Sequence, residues 1–128
     1  MNMKERMEHA ALRKKEMNCC QAVLVAFGEE LGRSEEELLR LGSGFGSGMG
    51  TMEGTCGALA GAIMVSSLLS ERGATMAASR TIFQRFKELC GGATICRDLK
   101  GVGTGTVLCS CENCVRNAVQ AAVETLAV

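Results

Sequence analysis

The chain has no proline, no tryptophan and no tyrosine, and these absences exclude several kinds of protein. Without proline, nothing along the chain forbids a helix interior. Four phenylalanines are the only large aromatic residues, too few for a platform on which nucleic-acid bases stack. The 14 basic and 14 acidic residues cancel, so no excess charge attracts nucleic acid or an anionic membrane. We therefore expect no nucleic-acid partner.

Long apolar runs are missing as well. Residues 1–17, MNMKERMEHAALRKKEM, are charged throughout and lack the apolar segment of a secretory signal. The longest apolar run, around ALAGAIMV, is too short to span a bilayer. Hydrophobic residues make up 47% of the chain, which is enough for one core. We therefore expect a single cytoplasmic domain over residues 1–128 that does not insert into a membrane.

Cysteine, by contrast, is abundant, with eight in 128 residues. Structural disulfides are rare in the cytoplasm, so this number favours metal ligands or redox thiols. Free cysteine is also among the most buried residue types, and we expect roughly half of the eight to be small core residues. The positions of the thiols along the chain therefore decide between these roles.

The apolar periodicity predicts an all-α fold, a compact bundle of about five or six helices. Asn18 with Gln21 forms a capping-box pattern, and the helix that it starts is predicted to end at Gly32. Ser34 with Glu37 forms a stronger capping-box pattern. Further helices are predicted over residues 74–90, from a Thr94 cap, and from about Ser110 to Leu126.

A glycine-rich loop precedes the central helix of this predicted bundle. Eight of the sixteen glycines fall between Gly42 and Gly61. From a Thr55 cap the sequence CGALAGAIMVSSLL is apolar on all sides, which is typical of a buried helix. Gly57 and Gly61 lie four apart on it and favour close approach of another helix. The sequence leaves open whether this helix is buried within one chain or partly in a homodimer.

Several cysteines fall in the predicted first turns of four helices. They are Cys19, Cys20, Cys56, Cys96, Cys111 and Cys114. A helix N-terminus has unpaired N–H groups and about half a positive charge, which lowers a thiol pKa and stabilises the thiolate. Because the thiolate binds metals and attacks disulfides, this recurrence indicates a metal or redox site.

Four segments together resemble the redox-active family named for its C_GCAxxG_C_C pattern: NCCQAVLVAFGEELG, GFGSGMGTMEGTCGALAGAIM, CRDL and CVRNAVQAAVETL. The resemblance covers roughly residues 15–125, and its most specific part is CGALAG, which matches CGAxxG. It implies a small helical protein, active in redox chemistry, whose four family cysteines are Cys19, Cys56, Cys96 and Cys114.

The chain also departs from the family pattern, which leaves the set of ligands open. Cys20 stands where the family usually has a small residue, and Cys90, Cys109 and Cys111 are additional. Cys111 could replace or supplement Cys114 as a ligand. Cys90 could be a buried bystander or a resolving thiol.

Two chemistries are consistent with the four family cysteines. In the first, they bind an iron–sulfur cluster or another redox metal and transfer electrons to an unidentified redox protein. In the second, no metal is bound, and Cys56 or Cys19 attacks a disulfide as a thiolate. A structural zinc site in an interaction module is a third alternative, although zinc ligands usually come in close pairs. Whether the protein is an enzyme, an oxidoreductase, or an electron carrier stays open.

The glycine-rich loop gives a further prediction about the site. Glycine lets a backbone come close to a ligand, adopt positive φ and direct N–H groups at sulfur. Gly48, Gly50, Gly54 and Gly57 are therefore predicted to border the cofactor.

Overall fold

The structure, a computed structural model, describes all 128 residues and confirms the all-α fold. Eight α-helices pack together without a β-sheet. They are α1 (Met3–Arg13), α2 (Cys19–Ala26), α3 (Gly28–Leu31), α4 (Glu35–Gly42), α5 (Gly57–Leu69), α6 (Thr75–Leu89), α7 (Cys96–Lys100) and α8 (Cys111–Leu126). A short 3₁₀ helix, Ser43–Phe45, leads into a left-handed turn at Ser47 and Gly48. The number exceeds the predicted five or six in part because the helix predicted from Asn18 to Gly32 is divided into α2 and α3.

The two capping boxes predicted from sequence are both present. The Asn18 side chain accepts a hydrogen bond from the Gln21 N–H, and Ser34 accepts one from Glu37. Gly32 is left-handed, with φ of 63°, as expected for a helix end. The helix predicted between Asn18 and Gly32 is nevertheless broken at Phe27, where φ is −111° and ψ is 17°.

The caps predicted for α5 and α7 were wrong by one residue. Cys56 rather than Thr55 caps α5, and Ile95 rather than Thr94 caps α7. The reason is an isolated antiparallel bridge between Thr55 and Ile95, which keeps both segments extended up to the helix starts. Such a long-range pairing is invisible to a local helix pattern.

The core surrounds α5, which packs against α2, α6 and α8. The largest fully buried side chains include Leu24, Leu59, Phe86 and Val115. Gly61 allows α2 to approach closely, because a Cβ there would lie 2.9 Å from the Cys20 carbonyl oxygen. No helix in the structure has the length and apolar character needed to cross a bilayer.

An ion pair between a buried arginine and a more exposed glutamate fastens α1 to the segment around the break between α2 and α3. Arg6 is 6% exposed and donates to both carboxylate oxygens of Glu30, at 2.9 and 2.6 Å. It also donates to the Ala26 carbonyl oxygen at 2.6 Å and lies 4.7 Å from the centre of the Phe27 ring. The broken helix therefore has a partner for its exposed carbonyl.

Candidate metal and thiol site

A cavity of about 120 Å³ lies where four helices begin. Four thiols line it, and we call them the cavity thiols: Cys19, Cys56, Cys96 and Cys111. Cys19, Cys96 and Cys111 are the first residues of α2, α7 and α8, and Cys56 is the N-cap of α5. All eight cysteines of the chain are free thiols.

Backbone hydrogen bonds hold two of the cavity thiols side by side. The Cys56 N–H donates to the Thr94 carbonyl oxygen at 2.8 Å, and the Cys96 N–H donates to the Gly54 carbonyl oxygen at 3.0 Å. These bonds flank the bridge between Thr55 and Ile95. The positions of Cys56 and Cys96 are thus set by backbone pairing rather than by side-chain packing alone.

Two of the four glycines predicted to border a cofactor line the cavity, Gly48 and Gly57. Gly48 has φ of +59°, and a Cβ there would lie 2.6 Å from the Cβ of Cys96. A Cβ on Gly57 would lie 2.7 Å from the Phe45 carbonyl oxygen. Gly50 and Gly54 do not line the cavity. Gly50 instead ends the left-handed turn, with φ of +77°.

Two lysines supply positive charge to the cavity wall, Lys14 and Lys100. The Lys100 ammonium donates to the Cys114 sulfur at 3.1 Å and to the Cys109 carbonyl oxygen at 3.4 Å. Burial lowers the pKa of Lys100, but the charge of the Cys114 thiolate and the hydrogen bond to it more than offset this, and the pKa is raised overall. Lys100 therefore stays charged beside the sulfurs.

A second group of thiols lies beside the cavity, and we call it the thiol triad: Cys90, Cys109 and Cys114. Their three sulfurs all lie within 4.8 Å of one another, and all three residues are buried. The triad could hold a metal ion. The side-chain amide of Asn117 donates to the Cys90 sulfur at 3.3 Å and to the Cys109 sulfur at 3.6 Å.

Hydrogen bonds between thiols join the cavity to the triad and separate their pKa values. A hydrogen bond with Cys114 raises the pKa of Cys56 above its ordinary value. A hydrogen bond with Cys19 lowers the pKa of Cys111 to about 6. Those with Cys114 and Cys90 lower the pKa of Cys109 to about 3. The pKa values of Cys19 and Cys90 are raised by the same pairs, so these two keep their protons and stabilise the thiolates of Cys111 and Cys109.

The predicted site residues are thus distributed over both groups. Cys19, Cys56 and Cys96 line the cavity, whereas Cys114 lies in the triad. The fourth cavity position is taken by Cys111, the substitute that the sequence allowed. Cys111 and Cys114 are three residues apart on α8 and therefore share one face of that helix.

Cys20 and the two cavity lysines also differ from what the sequence indicated about the site. Cys20 is buried away from the cavity, with its sulfur 3.9 Å from that of Met64. Sequence reasoning did not identify Lys14 or Lys100. For Lys100 a signal existed, because it follows Cys96 by four residues and therefore projects from the same side of α7.

Comparison with known proteins gives one finding. The family model described as "Putative redox-active protein (C_GCAxxG_C_C)" matches residues 17–125. Neither the curated proteins nor the solved structures contain a match to this chain.

Proposed function

This chain belongs to the C_GCAxxG_C_C family, and from that premise we propose that its cavity thiols bind an iron–sulfur cluster, or another redox metal, for electron transfer. The observation that carries the proposal is the convergence of Cys19, Cys56, Cys96 and Cys111 on one cavity. Iron–sulfur clusters are held by four cysteine thiolates, which is the set that the cavity offers.

The size of the cavity favours a group of several atoms. A cavity holds one water molecule at about 10–15 Å³ on the same measure, so about 120 Å³ exceeds what a single metal ion requires. Structural zinc sites are closed around one ion. The volume therefore supports a cluster over zinc at the cavity thiols.

The electrostatics of the cavity also favour an anionic group. The N-termini of α2, α5 and α8 all reach the cavity wall, and each carries partial positive charge. Lys14 and Lys100 add two full charges. When bound, an iron–sulfur cluster supplies one-electron chemistry, and its potential depends on net charge and on hydrogen bonds to sulfur. Lys14 and Lys100 are the groups of this chain that would set that potential.

The thiol triad is a second candidate place for a metal, because its three sulfurs lie within 4.8 Å of one another. A fourth ligand would be needed for zinc. The Lys100 ammonium, 3.1 Å from the Cys114 sulfur, opposes a cation at that position. We therefore place the redox metal in the cavity and assign the triad no metal.

Purification without oxygen, followed by a visible spectrum and measurement of iron, zinc and acid-labile sulfide, tests the proposal. We expect colour with iron and sulfide in the unmodified chain, and loss of all three in Cys19→Ser and Cys111→Ser. Cys20→Ser is the control, since Cys20 is a buried cysteine that does not line the cavity and has its sulfur 3.9 Å from that of Met64. A folded protein that contains no metal and eight free thiols would overturn the proposal. Iron retained in Cys111→Ser but lost in Cys90→Ser would move the metal to the triad.

A further inference from the structure

Cys90 and Cys109 form a close pair of thiols that the proposed metal site does not use. Their sulfurs lie 3.5 Å apart, and neither residue lines the cavity. Both are additional to the four cysteines of the family pattern. They are 1% and 6% exposed, so the pair is screened from large molecules.

The backbone around the pair allows the two sulfurs to approach each other. A disulfide bond is about 2.05 Å long, so a closure of about 1.5 Å is required. Cys90 caps the end of α6 and is followed by Gly91 and Gly92, both with positive φ. Cys109 lies in the connection between α7 and α8. Neither residue is inside a helix, and the only helical hydrogen bond at the pair is the last one of α6, from the Cys90 N–H to the Phe86 carbonyl oxygen at 2.9 Å.

The third member of the triad is less free to form this bond. Cys114 lies in the first turns of α8, its sulfur accepts from the Lys100 ammonium at 3.1 Å, and its N–H donates to the Ser110 carbonyl oxygen. The Asn117 amide, in contrast, donates to both the Cys90 and Cys109 sulfurs and so aligns these two with each other. A donated hydrogen bond to sulfur also stabilises the negative charge of an attacking thiolate.

We propose that Cys90 and Cys109 are a second redox site, a dithiol that a small hydroperoxide oxidises to a disulfide. Cys109, the more exposed residue of the pair, attacks one peroxide oxygen as its thiolate, the O–O bond breaks, and the sulfur becomes a sulfenic acid as hydroxide leaves. Cys90 then attacks the Cys109 sulfur, the S–O bond breaks and water leaves. In total, two thiols and one hydrogen peroxide give one disulfide and two waters, and a dithiol reductant restores the thiols. The proposal does not depend on a metal in the cavity.

The test is peptide mapping of the reduced full chain after brief treatment with stoichiometric hydrogen peroxide, in parallel with oxidised glutathione. Free thiols are then blocked, and the chain is cut with trypsin. Cleavage after Lys87, Arg97, Lys100 and Arg116 places Cys90 in residues 88–97 and Cys109 in residues 101–116. We expect peroxide to link these two peptides, fragmentation to locate the bond at Cys90 and Cys109, and dithiothreitol to reverse it.

Variants make the assignment specific to the pair. Cys90→Ser should abolish the link and leave Cys109 as a sulfenic acid that dimedone traps, because the second attack is missing. Cys20 is buried, with its sulfur 3.9 Å from that of Met64, and Cys20→Ser should form the link as the unmodified chain does. The unmodified chain alone already tests the proposal should a variant fail to fold.

Three results would overturn the proposal. One is a peroxide-treated chain in which Cys90 remains fully open to alkylation. Another is a bond located at Cys96 or Cys114 instead. The third is a link that only the bulky glutathione disulfide produces, since this excludes a small hydroperoxide as the oxidant. The iron content of untreated Cys90→Ser separates this proposal from that of the metal site. If the variant keeps its iron but loses the link, both proposals stand. Either proposal can fail without the other.

Discussion

Gly48 shows how closely one residue is fitted to the cavity thiols. Its φ is +59°, and an added Cβ would lie 2.6 Å from the Cβ of Cys96. Gly48→Ala should therefore lower the free energy of unfolding by about 1–2 kcal/mol because of the left-handed backbone. The displacement of Cys96 should lower it further. We expect a lower urea midpoint together with a changed visible spectrum or faster alkylation of Cys96.

Gly50 offers the matched control for this prediction. It has a similarly positive φ of +77°, but a Cβ there would have no atom within 4 Å. Gly50→Ala should lower the free energy of unfolding only by the cost of the left-handed backbone, and it should leave the cavity thiols unchanged. Equal effects of the two substitutions on the site would show that the close contact with Cys96 has no role.

Cys111 gives a prediction about pH. It is the one cysteine that is only half-buried, and its pKa is lowered to about 6 by the hydrogen bond with Cys19. A lowered pKa means that the thiolate persists down to that pH. In the reduced, metal-free protein, alkylation of Cys111 by iodoacetamide should rise through about pH 6 and level off above it, not near the ordinary value of about 8.5. Cys19→Ala should move the midpoint upward, and an unmoved midpoint would remove Cys19 as the cause.

At the residue scale, the sequence pointed to some of the residues that line the candidate cavity but not to all of them. The family resemblance selected Cys19, Cys56, Cys96 and Cys114 from the helix-start cysteines, and the structure brings the first three to one cavity. It preferred Cys114 and kept Cys111 as a substitute, whereas Cys111 lines the cavity, because both lie on one face of α8 and the rotation of that helix in the bundle decides between them. The proximity of Cys90 to Cys109 was out of reach, since it arises from packing between α6 and the connection before α8.

At the scale of elements, the capping box of α2 sets the position of a cavity thiol. Asn18 accepts from the Gln21 N–H at 2.9 Å and precedes Cys19 directly. Its amide also donates to the Gly42 carbonyl oxygen at 3.2 Å. Asn18→Ala should lower the free energy of unfolding by about 1 kcal/mol and also weaken metal retention, because the first turn of α2 loosens.

The capping box of α4 is the comparison for that prediction. Ser34→Ala removes an equivalent bond to the Glu37 N–H, far from the cavity. Chemical denaturation should give a similar loss of about 1 kcal/mol, with metal content unchanged. If both variants lost metal alike, overall stability and not the local cap would control the site.

The elements that sequence predicted well are those whose signals are local. Capping boxes at Asn18 and Ser34 involve residues three apart, and both are present. The break at Phe27 and the bridge between Thr55 and Ile95 depend on residues distant in sequence. At Phe27 the distant residue Arg6 lies over the ring, and Gly28 directly after it is a local signal that the helix prediction passed over.

At the scale of the whole molecule, the pair of Arg6 and Glu30 connects α1 to the rest of the bundle. The hydrogen bond from Arg6 lowers the pKa of the Glu30 carboxyl below its ordinary value. The stabilisation from this pair is therefore present above the ordinary carboxyl pKa of about 4.3 and is lost as pH falls through the lower folded value. Glu30→Gln should reduce the free energy of unfolding by about 1–3 kcal/mol at neutral pH, and the difference should shrink below about pH 4.

Glu16 provides the exposed counterpart. It pairs with Arg13 at 3.1 Å, but its side chain is 67% exposed. Glu16→Gln should change the free energy of unfolding by less than about 0.5 kcal/mol at any pH. A loss as large as that of Glu30→Gln would show that burial of Arg6 is not what makes its ion pair matter.

The wide spacing of the cavity thiols has a kinetic consequence. They run from position 19 to position 111 and belong to four different helices. A group bound by all four would fasten the starts of those helices to one point, so it could not leave by the opening of a single loop. Its half-life in the protein would then follow the rate of global unfolding, with the steep temperature dependence of that rate. Scavenging chelators would remove it no faster than the chain itself comes apart.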